Sequence, residues 1–332
     1  MNGISIIVCC YNSAKLLPET LKHLANQEVS ATLAWEVILV NNNSTDATKT
    51  VAKSLWQSFN TSTRLQVIDE PKAGLSHARE AGMRAAKYDL FLWCDDDNWL
   101  CNTYVQNAFN IMKLHSDIGA LGGWCEAAFE KEKPTWFDQQ ARYFAVSKQG
   151  EKSGDITTKK GCVYGAGMVL RKSHWLQLKA LGFSHLLSDR VGKQLSSGGD
   201  TEYCYALRLL GYKIWYDDRL YFKHYMTTTR MELSYVKRIR KAMSYSNFVL
   251  WPYLDVLQDK QQTAKTFRKK AYKGFPIFLI KKVGALLLGS FEQKAVASRY
   301  LTHFKYRLFR YSAYKANYAA LLSWYGKIDD TL

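Results

Sequence analysis

Asp95, Asp96 and Asp97 follow directly on the apolar run Leu90-Phe91-Leu92-Trp93-Cys94. Carboxylates crowded in this way oppose one another's ionisation unless a cation sits among them. Hard oxygen donors with no histidine or cysteine between them favour Mg²⁺ or Mn²⁺ over zinc. An acidic surface turn capping the next helix is the alternative reading of the same three residues. A second acidic pair, Asp200 and Glu202, stands in the stretch Ser196-Ser197-Gly198-Gly199-Asp200-Thr201-Glu202, where a glycine-rich loop opens a helix.

These residues need elements to hold them. Ile4 to Cys10 is a β-branched and apolar strand that stops at Tyr11-Asn12-Ser13, and Leu16, Leu17, Thr20, Leu21 and Leu24 then fall at helical spacing. Trp35 to Val40 is a second strand, stopped by Asn41-Asn42-Asn43-Ser44-Thr45-Asp46, a segment with helix-capping residues. Leu65 to Ile68 is a third strand, Gly74 to Ala86 a helix, and the run before Asp95 a fourth strand. Alternating strands and helices predict an α/β fold whose parallel sheet is covered on both faces, with ligands at the carboxyl ends of the strands. Further strands are expected at Gly161–Leu170, Ile214–Tyr216 and Phe222–His224, and a helix at Tyr203–Leu210 ending at Gly211.

The 332 residues carry a formal charge of +17, and it is unevenly spread: residues 231–332 hold 19 Lys and Arg against 6 Asp and Glu. We therefore divide the chain into an α/β unit over 1–230 and a basic, aromatic, helical region over 231–332. In the latter, Phe275–Ile280 and Val283–Leu288 are apolar runs split by Lys281-Lys282. Neither reaches the ~18–20 residues of a membrane span. An in-plane segment at an anionic membrane surface is the preferred reading, and a helical lid with a solvated basic face the other. Seven cysteines with no CxxC pair point to reduced thiols in a cytosolic setting.

Ile4–Asn12, Val40–Asp46, Lys72–Gly82, Asp95–Asp97 and Gly198–Glu202 occur in the order and spacing of family 2 glycosyltransferases, which this chain resembles over residues 3–230. The resemblance implies a GT-A type, Rossmann-like nucleotide-binding sheet and an inverting, nucleotide-sugar-dependent transfer. It implies Mg²⁺ or Mn²⁺ at Asp97, with Asp95 and His224 beside it, and a UDP-sugar donor held by Cys10, Tyr11, Asn12, Asn42, Lys72, Arg79, Asp95 and Asp96. The family usually has Asp where this chain has Asn42, and an amide both accepts and donates. Asp200 resembles the family's catalytic base, although Gly199 stands where Glu is more usual; Glu202 is the alternative, in which case Asp200 is only a helix cap. Trp124 and Glu126 are candidates for an acceptor pocket. The chain lacks the Gln-x-x-Arg-Trp element of processive synthases, so a single sugar is expected to be added.

A nicotinamide dehydrogenase is disfavoured because no Gly-x-Gly-x-x-Gly follows the first strand. A nucleic-acid-binding protein would set three aspartates against its own anionic ligand, so no nucleic-acid partner is expected. A nucleotidyltransferase shares the fold and the metal. The implied partners are a nucleotide-sugar, a glycan or lipid-linked glycan acceptor and an anionic membrane, which places the protein in the cytoplasm at the inner face of the cell membrane.

Overall fold

A computed structural model describes residues 2–187, 197–289 and 291–328. Its strands are Ile4–Cys10 (β1), Trp35–Asn42 (β2), Leu65–Glu70 (β3), Leu90–Asp95 (β4), Asn98–Leu100 (β5), Ile118–Phe129 (β6), Gly154–Asp155 (β7), Val169–Arg171 (β8) and Lys213–Met226 (β9). Its α-helices are Leu17–Ala25 (α1), Thr48–Ser58 (α2), Leu75–Ala85 (α3), Tyr104–Leu114 (α4), Phe137–Gln140 (α5), Lys172–Leu181 (α6), Gly199–Leu209 (α7), Leu233–Val249 (α8), Trp251–Val256 (α9), Ala264–Leu288 (α10), Phe291–Phe309 (α11) and Tyr311–Tyr325 (α12).

The sheet runs β3-β2-β1-β4-β8-β6-β9-β5, with β7 paired to β9. Strands β3, β2, β1 and β4 are mutually parallel, as the alternating pattern predicts. Beyond β4 the sheet is mixed, because β8 runs antiparallel to both β4 and β6 while β6 and β9 are parallel. Alternation along β1 divides the core: Ile4, Ile6 and Val8 face one side with residues of α1, α2 and α4, and Ile7 faces the other with residues of α3, α6 and α7. Phe248, Tyr253, Phe267, Tyr314 and Trp324 join that second layer, so the helices after residue 231 share a core with the sheet.

Three expectations are corrected here. Only Val169–Arg171 of the glycine-bracketed stretch is a strand, because Gly161 and Gly167 take left-handed φ values of 66° and 74° that interrupt a ladder. The two short strands expected near 214 and 222 are one long strand, β9. It passes an irregularity opposite Gly122 and Trp124 of β6, and a Cβ on the intervening Gly123 would fall 1.7 Å from the Leu220 carbonyl oxygen, so only glycine fits there. Finally, α7 begins at Gly199, which puts Asp200 inside the first turn of the helix.

Among the described residues no helix is long and apolar enough to cross a membrane. Within α10, Tyr272, Ile277, Ile280 and Val283 are exposed, while Phe267, Ala271 and Phe278 are covered. The side chains of 285–288 lie outside the described set.

Candidate active site

The carboxyl ends of β1, β2 and β4 open into a cleft of about 410 Å³. Its walls include Cys10, Tyr11, Asn42, Arg79, Asp95, Asp96, Asp97, Asp200, His224 and Arg230. Asp95 is the last residue of β4, and the two carboxylates after it turn inward. Asp96 receives a hydrogen bond from the Ser13 hydroxyl, and its carbonyl one from Thr20 Oγ1 at 2.7 Å. Burial, reinforced by the Asp97 carboxylate, pushes the Asp96 pKa up to about 7.

Asp97 is buried and engaged on both oxygens. Its Oδ2 lies 2.6 Å from Arg230 Nη1, and its Oδ1 lies 3.1 Å from Asn98 Nδ2 and 3.3 Å from His224 Nε2. Burial opposes the charge on Arg230, but Asp97 outweighs it and keeps the guanidinium protonated beyond its usual range. His224 Nδ1 is buried without a hydrogen-bond partner.

On the other wall, α3 lies close on the sheet: a Cβ at Gly82 would come within 2.3 Å of Ile7 Cγ2. This brings the Arg79 guanidinium over the Trp93 ring, 4.2 Å from its centroid, and 3.8 Å from Asp95 Oδ1. Gly165 separates Arg79 from Asp200; a Cβ there would fall 2.7 Å from Arg79 Nη2 and 3.0 Å from Asp200 Cβ. Asp200 accepts the backbone N–H of Gly165 on Oδ2 and that of Thr201 on Oδ1, each at 2.7 Å. Oδ1 also accepts from the Thr201 hydroxyl at 3.4 Å, whereas Oδ2 keeps a further lone pair.

The structure brings most of the expected residues together, but not all. Asn12 stands beside the cleft, where its side-chain oxygen accepts the Thr45 N–H at 2.8 Å and ties the β1 and β2 loops. Lys72 is exposed outside the cleft lining, and its carbonyl accepts from Asn42 Nδ2 at 2.8 Å. The Asn42 amide also donates to the Glu70 carbonyl and accepts from Gly74 N–H, so it is occupied in shaping the 70–74 loop. Cys10 contributes a buried thiol to the cleft floor, its pKa raised by burial.

Glu202 is wholly buried and faces away from the cleft. Its carboxylate accepts from the N–H groups of Leu186 and Leu187 and from Tyr253 Oη, and it pairs with His185 Nδ1 at 3.2 Å. Trp124 donates to the Asp218 carbonyl and Glu126 accepts from Tyr221 Oη, so both belong to the β6–β9 ribbon and not to the described cleft.

Sequence reasoning missed Arg230 and the wall formed by Arg142, Tyr143 and α8, with Tyr235, Ile239, Met243 and Asn247. An arginine in a threonine-rich turn six residues after His224 was the available signal for the first.

Among the described residues no group of three His, Cys, Asp or Glu side chains is arranged to hold a metal ion. A cation of the Mg²⁺ type nevertheless needs only one or two carboxylates when substrate phosphates and waters complete its shell. Asp95 and Asp97 supply that donor chemistry, and a guanidinium already stands as cation on Asp97. The donor set therefore fits a hard divalent ion.

Comparisons with known proteins bear on this site. Putative glycosyltransferase EpsH of Bacillus subtilis is 29% identical over 116 residues, 35% of this chain and 32% of that protein. The poly(ribitol-phosphate) beta-N-acetylglucosaminyltransferase TarS of Staphylococcus aureus is 27% identical over 119 residues, 36% of this chain and 20% of that protein. The chain spans only 16–32% of the length of the first curated relatives it matches. The crystal structure of S. aureus TarS 1-349 in complex with UDP-GlcNAc superposes with a TM-score of 0.55 at 17% identity, over 97% of this chain and 87% of that one. That likeness is one of fold, a GT-A type sheet. The model for glycosyl transferase family 2 matches residues 5–175, just over half of the chain and every strand end that builds the acidic side of the cleft, so the chain belongs to that family.

Proposed function

We propose that the protein moves a single sugar, with inversion, from a UDP-sugar to a hydroxyl of a glycan or lipid-linked glycan. The observation that carries this reading is that one cleft gathers the Asp95–Asp97 carboxylates, the guanidinium groups of Arg79 and Arg230, and the Asp200 carboxylate. The UDP-GlcNAc bound in the TarS complex supports the choice of a UDP-sugar.

In this reading Arg79 and Arg230 bind the donor diphosphate, and Tyr11 borders the nucleoside. Mg²⁺ or Mn²⁺ held by Asp97 and Asp95 would screen the charge of the departing diphosphate as a Lewis acid. Asp200 orients the acceptor hydroxyl and takes its proton as the oxygen attacks the anomeric carbon; the bond to the diphosphate oxygen breaks and its electron pair leaves with UDP. The apolar α8 wall, with Ile239 and Met243, suits the less polar part of an acceptor.

Residues 1–230 carry the donor chemistry in this reading, and 231–332 supply the acceptor wall and attachment to an anionic membrane at the cytoplasmic face. Residues 264–310 contain twelve Lys and Arg and one Glu, interleaved with the exposed apolar residues of α10.

A panel of sugar nucleotides incubated with the protein and Mn²⁺ tests the proposal. Release of UDP from one UDP-sugar is expected; release of pyrophosphate, or of nothing from any donor, would reject it.

A further inference from the structure

Arg230 and a divalent cation lay claim to the same atom. The guanidinium sits 2.6 Å from Asp97 Oδ2 and 3.2 Å from His224 Nε2, while the other oxygen accepts from Asn98 Nδ2 and lies 3.3 Å from His224 Nε2, and the side chain is almost fully covered. A cation bound at Oδ2 would therefore meet a positive guanidinium within a few ångströms, with little water between them to screen the repulsion. One of the two must leave.

The neighbourhood shows which can move. Asp97 is fixed by its backbone, since its carbonyl accepts the Tyr225 N–H at 2.9 Å across the β5–β9 pairing. Arg230 instead stands on the short turn Thr228–Met231, beyond the end of β9, where Thr228 is exposed and bound to the Glu130 carboxylate. Its guanidinium already borders the cleft that Arg79 also lines, so a diphosphate entering that cleft offers Arg230 a new anionic partner.

We propose that Arg230 acts as a guard on Asp97: in the donor-free protein it occupies the carboxylate and keeps divalent cation affinity low, and a bound nucleoside diphosphate draws it away and opens the carboxylate to the cation. Cation binding is then coupled to donor binding, and by linkage each raises the affinity of the other by the same factor. The inference rests on the donor-site reading given above and concerns a positioning residue, not the group that takes the proton.

Mn²⁺ titrations of the full chain, followed by electron paramagnetic resonance of free Mn²⁺ with and without UDP, provide the test. For the wild type, UDP is expected to tighten Mn²⁺ binding by about tenfold or more, within the usual span of such couplings. Arg230→Ala should bind Mn²⁺ about tenfold more tightly than wild type without UDP, and its gain on adding UDP should shrink correspondingly. Arg230→Lys keeps a charge on the same turn and should fall between the two, which guards against an Arg230→Ala variant that does not fold. Tight Mn²⁺ binding by the wild type without UDP would overturn the proposal, as would variants that bind Mn²⁺ no better than wild type. The comparison without nucleotide isolates this inference; a failure of UDP to bind at all strikes the donor reading instead.

Discussion

Asp200 and Glu202 are two residues apart on one helix, yet their surroundings differ sharply. Asp200 faces the cleft with each oxygen steered by a single backbone N–H, whereas Glu202 is enclosed and spends its carboxylate on Leu186, Leu187, His185 and Tyr253. Asp200→Asn keeps the size and one acceptor but cannot take a proton, so kcat should fall by ~10² or more with donor affinity little changed. Glu202→Gln leaves buried donors poorly matched and should show first as a loss of stability, on the order of 1–3 kcal/mol in denaturant unfolding. A large drop in kcat for Glu202→Gln with unaltered stability, and normal turnover for Asp200→Asn, would exchange the two roles.

At the scale of elements, the loop between β3 and α3 depends on one amide. Asn42 donates to two carbonyls, those of Glu70 and Lys72, and accepts one N–H from Gly74. An aspartate, more usual at this position in the family, would turn a carboxylate toward two carbonyl oxygens with no hydrogen to offer. Asn42→Asp should therefore cost about 1–3 kcal/mol of stability and weaken UDP binding, as measured by thermal unfolding and calorimetry. Tighter UDP binding in this variant would instead identify position 42 as a direct reader of the base. The same local economy governs β6 and β9, where Gly123 lets the strands pass at a distance no side chain allows.

Across the whole molecule, the C-terminal helices serve two sides. Their inner faces join the sheet's core through Phe248, Tyr253, Phe267, Tyr314 and Trp324, while α10 presents Tyr272, Ile277, Ile280 and Val283 outward beside Lys273, Lys281 and Lys282. Each basic side chain near an anionic surface contributes roughly 1 kcal/mol, so about five engaged together give firm but salt-sensitive attachment. Lys281→Glu combined with Lys282→Glu should move the protein from the pellet to the supernatant in sedimentation with anionic liposomes at low salt, with donor hydrolysis retained. Failure of the wild type to sediment would make α10 a lid or an oligomer contact.

Local chemistry was enough to read much of this protein. The strands β1 to β4 and their polar ends were legible because β-branched runs stop abruptly at Tyr11, Asn41 and Asp95, and side-chain periodicity is a property of neighbours in sequence. Asp95, Asp96 and Asp97 were legible for the same reason, standing at the end of a strand that the pattern announces, whereas Arg79, in the middle of α3, and Asp200 were picked out by the resemblance to the family's motifs. The chain's own order could not show that Arg230 closes on Asp97, 133 positions away, or that α8 walls the cleft. Nor could it show that Glu202 turns inward, since a helix position two residues on rotates the side chain by about 200° and only packing decides what lies there. The mixed half of the sheet was hidden too, because short strands and glycine-rich ribbons such as β8 and β6 draw their order from partners across the sheet and not from their own composition.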